Sequence, residues 1–149
     1  MYSSSQLALK YLNYYLVAAS GEGHGIHSPF VFDFVTKVLN DRTEYEGYNK
    51  IESLRKKLLK DQTILAIEDH GAGPSSSRSR ERSVSSIAKH AVKSKKYGQL
   101  LYRMVKYYQP DSIIELGTSL GVTTSYLSLA LPGGNVFTLE GASEIANLA

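Results

Sequence analysis

The sequence contains no cysteine. That excludes disulfide frameworks and thiolate zinc sites, and it fits a cytoplasmic protein. No run of about 18 apolar residues occurs, so no membrane-spanning helix is expected. The opening residues, Met1-Tyr2-Ser3-Ser4-Ser5, lack a basic segment leading into an apolar core, and no signal peptide is expected from them. Cations are missing from the last part of the chain. Residues 109–149 hold no Lys or Arg but carry Asp111, Glu115, Glu140 and Glu144, a local charge of −4. The whole chain is +3, so the first 108 residues carry +7. Nine of the basic residues fall between Arg78 and Lys106, against Glu81 alone. A stretch of this kind can meet a polyanion, but it is more often a solvated helix face, so nucleic acid is not the expected partner.

What is present is ordinary for a globular protein. The chain has 149 residues, 42% apolar and 21% charged, which is one domain's worth of material with enough to form a core. Leu9, Leu12, Tyr15 and Leu16 recur at three- and four-residue spacing and predict a helix over 5–19. Gly21, Gly23 and Gly25 then interrupt the chain. Ser28-Pro29 has the form of a helix start, with Ser as N-cap and Pro in the first turn, and Phe30, Phe34, Val35 and Val38 would form the buried stripe. A third helix is expected over 48–60, with Ile51, Leu54, Leu58 and Leu59 on one face. Ile64–Ile67 reads as a short strand, and residues 71–86, rich in Ser and Arg, as a loop that cannot bury itself. Helical patterning resumes at 84–92 and strengthens at 97–108, where Leu100, Leu101, Met104, Val105 and Tyr108 form a stripe closed by Pro110. The 11 tyrosines, including Tyr11, Tyr14, Tyr15, Tyr107 and Tyr108, are expected mainly at helix interfaces.

From residue 112 the pattern becomes α/β. A strand, Ser112–Leu116, runs into Gly117-Thr118-Ser119-Leu120-Gly121, then a helix over 122–130 and a second strand over 136–140 that ends in Glu140. In an open parallel sheet the crevice outside the strand C-termini is where ligands bind. Gly117 would let the backbone turn sharply toward a ligand, and Gly121 would let the following helix pack closely. The amides of its first turn, 122–124, form a partly positive end. The turn lacks the middle glycine of G-x-G-x-x-G, so it is not the dinucleotide fingerprint. Glu140, nineteen residues past Gly121, can accept hydrogen bonds from both hydroxyls of a ribose. Together these features suit an adenosine ligand without a pyrophosphate.

Competing motifs are weaker. Asp69-His70-Gly71-Ala72-Gly73 is a rival glycine turn, but Pro74 and a Ser/Arg tract follow it in place of an amphipathic helix; it is read as a loop, with a lid near the substrate as the alternative, where His70 could act as a base although a lone loop histidine is more often solvated. His24 and His27 stand in a glycine-interrupted segment with no third ligand nearby, so no metal site is expected there.

The segments Lys96-Tyr97-Gly98-Gln99-Leu100-Leu101, Ile113-Ile114-Glu115-Leu116-Gly117-Thr118-Ser119-Leu120-Gly121-Val122-Thr123-Thr124, Leu129–Pro132 and Val136–Glu140 resemble the opening of a class I S-adenosylmethionine-dependent methyltransferase. The flavour is closest to O-methyltransferases related to catechol O-methyltransferase. The upstream segments 25–32 and 69–73 are similar to bacterial members of that superfamily. The resemblance implies that Glu115 lies near the methionine end of the cofactor and orients the turn. Gly117, Thr118 and Ser119 would line the cofactor through their backbone at a turn closed by Gly121. Thr123 would offer a hydroxyl to the carboxylate end, Glu140 would hold the ribose, and Tyr97 and Gly98 would cover the cofactor from the N-terminal side.

The expected fold is therefore α/β: an N-terminal helical region, 1–108, followed at 109–149 by the first βαβ unit of a Rossmann-like methyltransferase domain, read as the N-terminal portion of the family fold. The expected chemistry is methyl transfer from S-adenosylmethionine to a small-molecule acceptor, with little or no turnover by this chain alone. No catalytic residue is assigned. A divalent metal used by some relatives would take its ligands from later strands. Open sheet edges predict pairing with a second copy or exchange of elements. The alternative is a non-catalytic assembly module that uses the basic helical region to dock a protein or RNA.

Overall fold

The computed structural model describes residues 3–17, 25–67 and 81–149. The chain divides into two compact units, 1–42 and 43–149.

In the first unit, α1 spans Ser4–Val17 and buries none of its residues. Helix α2, Pro29–Asp33, starts as the Ser-Pro pair predicts, with the Ser28 hydroxyl accepting from the Val31 amide. It runs directly into a π-helical segment, Phe34–Leu39. There the Thr36 hydroxyl donates to the Phe32 carbonyl at 2.7 Å, and the Asn40 amide reaches back to Val35 at 3.0 Å. A Thr hydroxyl competing for a helical carbonyl favours such widening. The wider turn rotates the apolar stripe. Val38 is buried, Phe34 and Val35 are half-buried, and Phe30 is exposed, not buried as the spacing predicts.

The second unit holds the rest. Helix α3 spans Gly47–Leu58 and buries Tyr48 and Ile51, while Leu54 and Leu59 of its expected stripe are exposed. Strand β1, Ile64–Ala66, pairs antiparallel with β2, Glu81–Ser83, in the register Ile64↔Ser83. The pairing continues as the Val84 amide donates to Thr63 and the Ser85 amide to Asp61. The tail of the expected 71–86 loop is thus structured. The backbone groups of Glu81–Ser83 are satisfied by β1, which polar side chains do not prevent at a sheet edge. Residues 71–80 and the Asp69–Gly73 turn lie outside the described residues. Ser83 also caps α4, Val84–His90, accepting from the Ser86 amide. Helix α5, Lys95–Tyr108, ends with Gln109 in a left-handed conformation just before Pro110.

Strand β3, Ser112–Leu116, helix α6, Val122–Ala130, and strand β4, Asn135–Leu139, form the expected strand–helix–strand unit, and a final helix α7 spans Ser143–Leu148. β3 and β4 are parallel, with Leu116 opposite Leu139. They form a two-stranded sheet separate from β1–β2, so the 64–66 strand does not extend the parallel sheet. The described residues thus form a mixed α/β structure of seven α-helices, one π-helical segment and two small sheets.

Two apolar clusters hold this unit. One joins Tyr48 and Ile51 of α3, Tyr102 and Val105 of α5, and Val122, Tyr126, Leu127 and Ala130 of α6. The other joins Ile67, Val84, Ile87, Ala88, Leu120, Ala142 and Ile145. Helices α3 and α5 therefore share a core with α6, although the sequence pattern sets its boundary between them, at 108/109. The tyrosines at helix interfaces are Tyr48, Tyr102 and Tyr126, the first with ring centroids 5.1 and 5.9 Å from the other two. Tyr11, Tyr14, Tyr15, Tyr107 and Tyr108, expected in that role, are exposed. Among the described residues no helix is long and apolar enough to cross a membrane.

Candidate functional site

The site is built where β3 ends. Gly117 has φ +95° and Gly121 φ +69°, conformations that a side chain strains. A Cβ on Gly117 would meet nothing within 4 Å, so its backbone faces open space that a ligand can enter. At Gly121 the nearest atoms would stand at 3.6 and 3.8 Å, ordinary contacts. Its requirement is therefore the backbone turn and not the close helix packing expected of it. Ser119 between them also has positive φ, +50°, which the sequence does not signal, and its buried hydroxyl has no hydrogen-bond partner among the described residues.

Two hydroxyls fix Glu115, and a third holds one of them. Its Oε2 accepts from the Thr124 hydroxyl on α6 and from the Thr138 hydroxyl on β4, the latter at 2.8 Å. Thr138 is committed as a donor to Glu115, so the 2.6 Å contact between Thr118 and Thr138 is a hydrogen bond donated by Thr118. Glu115 and Thr138 are direct partners in the parallel register. Strand, turn, helix and second strand thus meet at one carboxylate. Thr124 and Thr138 were not singled out by the sequence. The signal for Thr138 was its place opposite Glu115 once the strands are aligned.

Glu140 lies one residue beyond β4. Its Oε2 accepts from the Ser119 amide at 2.7 Å and its Oε1 from the Ala142 amide at 3.0 Å. The acid therefore clasps the glycine turn. Each carboxylate oxygen has a second acceptor site, so two hydroxyl donors from a ligand remain chemically acceptable.

Two cavities adjoin the turn. The smaller, about 230 Å³, opens above the N-terminus of α6. Glu115, Gly117, Thr118, Ser119 and Thr123 line it on one side, and Ala91–Lys93 on the other. The first amides of α6 have no intrahelical acceptor and give this end partial positive character. The larger, about 540 Å³, runs along α6 beside β4 and α7, with Thr118, Gly121, Thr138, Ser125, Ser128 and Glu140 in its wall. Thr118 belongs to both. The predicted residues are thus brought together around one turn, except for Tyr97 and Gly98, which line neither cavity. Tyr97 is exposed on α5. Gly98 is buried, and a Cβ there would stand 2.5 Å from the Tyr126 ring, so helix packing accounts for this glycine. His27 is exposed, and His24 and His70 lie outside the described residues.

A partly buried polar chain beside the small cavity gave no signal in the sequence. Tyr126 donates to Glu52 at 2.7 Å, and Arg55 Nε contacts both Glu52 oxygens at 3.1 Å. Burial raises the Tyr126 hydroxyl well above its ordinary pKa of 10.0, reinforced by its hydrogen bond and proximity to the Glu52 carboxylate and partly opposed by Arg55. No family model matches the chain, and no curated protein or solved structure matches it either.

Proposed function

We propose that the 43–149 unit carries the opening of a Rossmann-like fold and binds S-adenosylmethionine at the glycine turn. The observation that carries this reading is Glu140. Its carboxylate lies at the end of the second parallel strand, 2.7 Å from the Ser119 amide of a turn bounded by two left-handed glycines. A nucleoside with no pyrophosphate fits that arrangement. Its ribose hydroxyls would take the free acceptor sites of Glu140, and the amino-acid end would lie toward the first turn of α6, near Gly117, Ser119 and Thr123. A bound S-adenosylmethionine supplies an activated methyl group, and the proposed reaction is its transfer to a small-molecule acceptor, in the manner of O-methyltransferases. What the chain's own residues contribute is positioning: Glu115, with Thr124 and Thr138 bonded to it and Thr118 bonded to Thr138, holds the turn against both strands. The proposed setting is cytoplasmic, consistent with a chain free of cysteine.

The test is calorimetric titration with S-adenosylhomocysteine. Wild type should bind. Glu140→Ala should weaken binding about tenfold or more, as expected when hydrogen bonds to a charged acceptor are lost. Gly117→Val, which places a branched side chain in the open space, should abolish it. Absence of binding by a folded wild type would overturn the reading. Salt-sensitive RNA binding in its place would favour the assembly module.

A further inference from the structure

The polar chain beside the small cavity does more than join two helices. Arg55 Nη1 donates to the Lys93 carbonyl at 2.6 Å, while its Nε contacts Glu52. Glu52 in turn receives the Tyr126 hydroxyl. Lys93 stands in one wall of the cavity, with Ala91 and Val92. Val122 and Thr123, in the opposite wall, lie in the first turn of the helix that carries Tyr126. Both walls are therefore tied to one ion pair on α3.

We propose that Arg55 is a positioning residue for the small cavity, setting the distance between the 91–93 wall and the first turn of α6 through Glu52 and Tyr126. The pair is poorly explained as a source of stability. Arg55 and Glu52 are only 12% and 17% exposed, so both charges are largely removed from water. Arg55 Nη2 is buried without a hydrogen-bond partner among the described residues. A buried ion pair with an unmatched donor is seldom a net gain over apolar packing. Its benefit here is geometry, because a planar guanidinium presents donors in a rigid fork that can hold a carboxylate and a carbonyl at once. Gly98 reinforces the arrangement by letting α5 close onto the Tyr126 ring, which fixes where its hydroxyl points. What the cavity holds rests on the S-adenosyl reading above, but its shape does not.

The experiment is residue-resolved hydrogen exchange without ligand, comparing wild type with Arg55→Lys. Lysine keeps the charge beside Glu52 but lacks the planar fork that holds the Lys93 carbonyl at the same time. The amides of Ala91, Tyr97 and Gly98, which donate to Ile87, Ser94 and Ser94 on either side of this link, are the reporters. The Gly117 amide, bonded to Leu139, is the reference for the unit as a whole. The proposal expects exchange about tenfold faster at the reporters and unchanged at Gly117. No acceleration at the reporters would overturn it, as would equal acceleration at Gly117, which marks a general loss of stability. Should Arg55→Lys fail to fold, Tyr126→Phe, which keeps the ring and removes the far end of the chain, is read as the acceleration of the reporters beyond that of Gly117, so that its general loss of stability cancels, and equal acceleration overturns the proposal. S-adenosylhomocysteine titration of the same samples separates the two claims. A wild type that does not bind defeats the cofactor reading, while the exchange pattern alone decides the role of Arg55.

Discussion

The two faces of the β3–β4 sheet come from the same two strands and differ in almost everything else. On one face Ile113, Glu115, Val136 and Thr138 lie under α6, with the two apolar side chains packed against the main cluster and the two polar ones bonded to each other. On the other, Ile114, Leu116, Phe137 and Leu139 are 71, 82, 56 and 56% exposed. Both strands are apolar enough for burial on two sides, as strands of a parallel sheet usually are. The difference shows what makes a side chain structural here. The open face is the more apolar of the two, with four apolar side chains against two, yet only the helix-covered one has neighbours to pack with.

The largest expected effect comes from breaking the covered side. Gly98→Val would drive its side chain into the Tyr126 ring, where even a Cβ would stand at 2.5 Å. Overpacking of this kind costs about 1–3 kcal/mol, and the β-branched residue fits the helix no better than Ala. A urea transition shifted by at least that amount, or no cooperative transition, is the expected outcome. Gly98→Ala sharpens the point, since Ala gains about 1 kcal/mol of helix propensity over Gly. Net stabilisation would show that α5 and α6 are less tightly seated than the distance implies.

Tyr126→Phe should cost less, about 1–2 kcal/mol at neutral pH, because the partly buried Glu52 loses one hydrogen bond while the ring remains. The same change should alter alkaline unfolding. The folded protein holds the Tyr126 proton to higher pH than an unfolded tyrosine with its ordinary pKa of 10.0. Above that pH the unfolded state therefore binds fewer protons, and stability falls as pH rises. The contribution is fully present below pH 10.0 and is lost at up to about 1.4 kcal/mol per unit above it. Tyr126→Phe should flatten this limb without removing it, because desolvation also raises Tyr102. An unchanged slope between pH 10 and 11 would refute the assignment.

The covered face and its turn were legible because local signals agree. Apolar runs, two glycines and an acid fall at spacings that only a strand–turn–helix–strand order satisfies, and the Leu116↔Leu139 register then places Glu140 at the turn. The same logic could not find Glu52 and Arg55. An acid and a base three apart on a helix look like a solvated pair, and their partner Tyr126 is 74 positions away. Nor could it find β2, since Glu81-Arg82-Ser83 has no strand pattern of its own and is set by pairing with Ile64–Ala66. Tertiary packing also decided which tyrosines are buried, a matter on which spacing along a helix is silent.

The open face offers the smallest effect on stability and the clearest one on association. Leu116→Thr with Phe137→Thr removes two exposed apolar side chains and keeps β-propensity, so the unfolding free energy should stay within about 0.5 kcal/mol of wild type. An exposed apolar face beside unpaired strand edges is a surface on which a second copy can settle. Sedimentation should therefore show a weight-average mass that climbs with concentration for wild type and stays flat for the double variant. If both remain monomeric, self-association through this sheet is wrong. If the variant loses more than about 1 kcal/mol, the outer face has packing partners and the contrast between the two sides of the sheet fails.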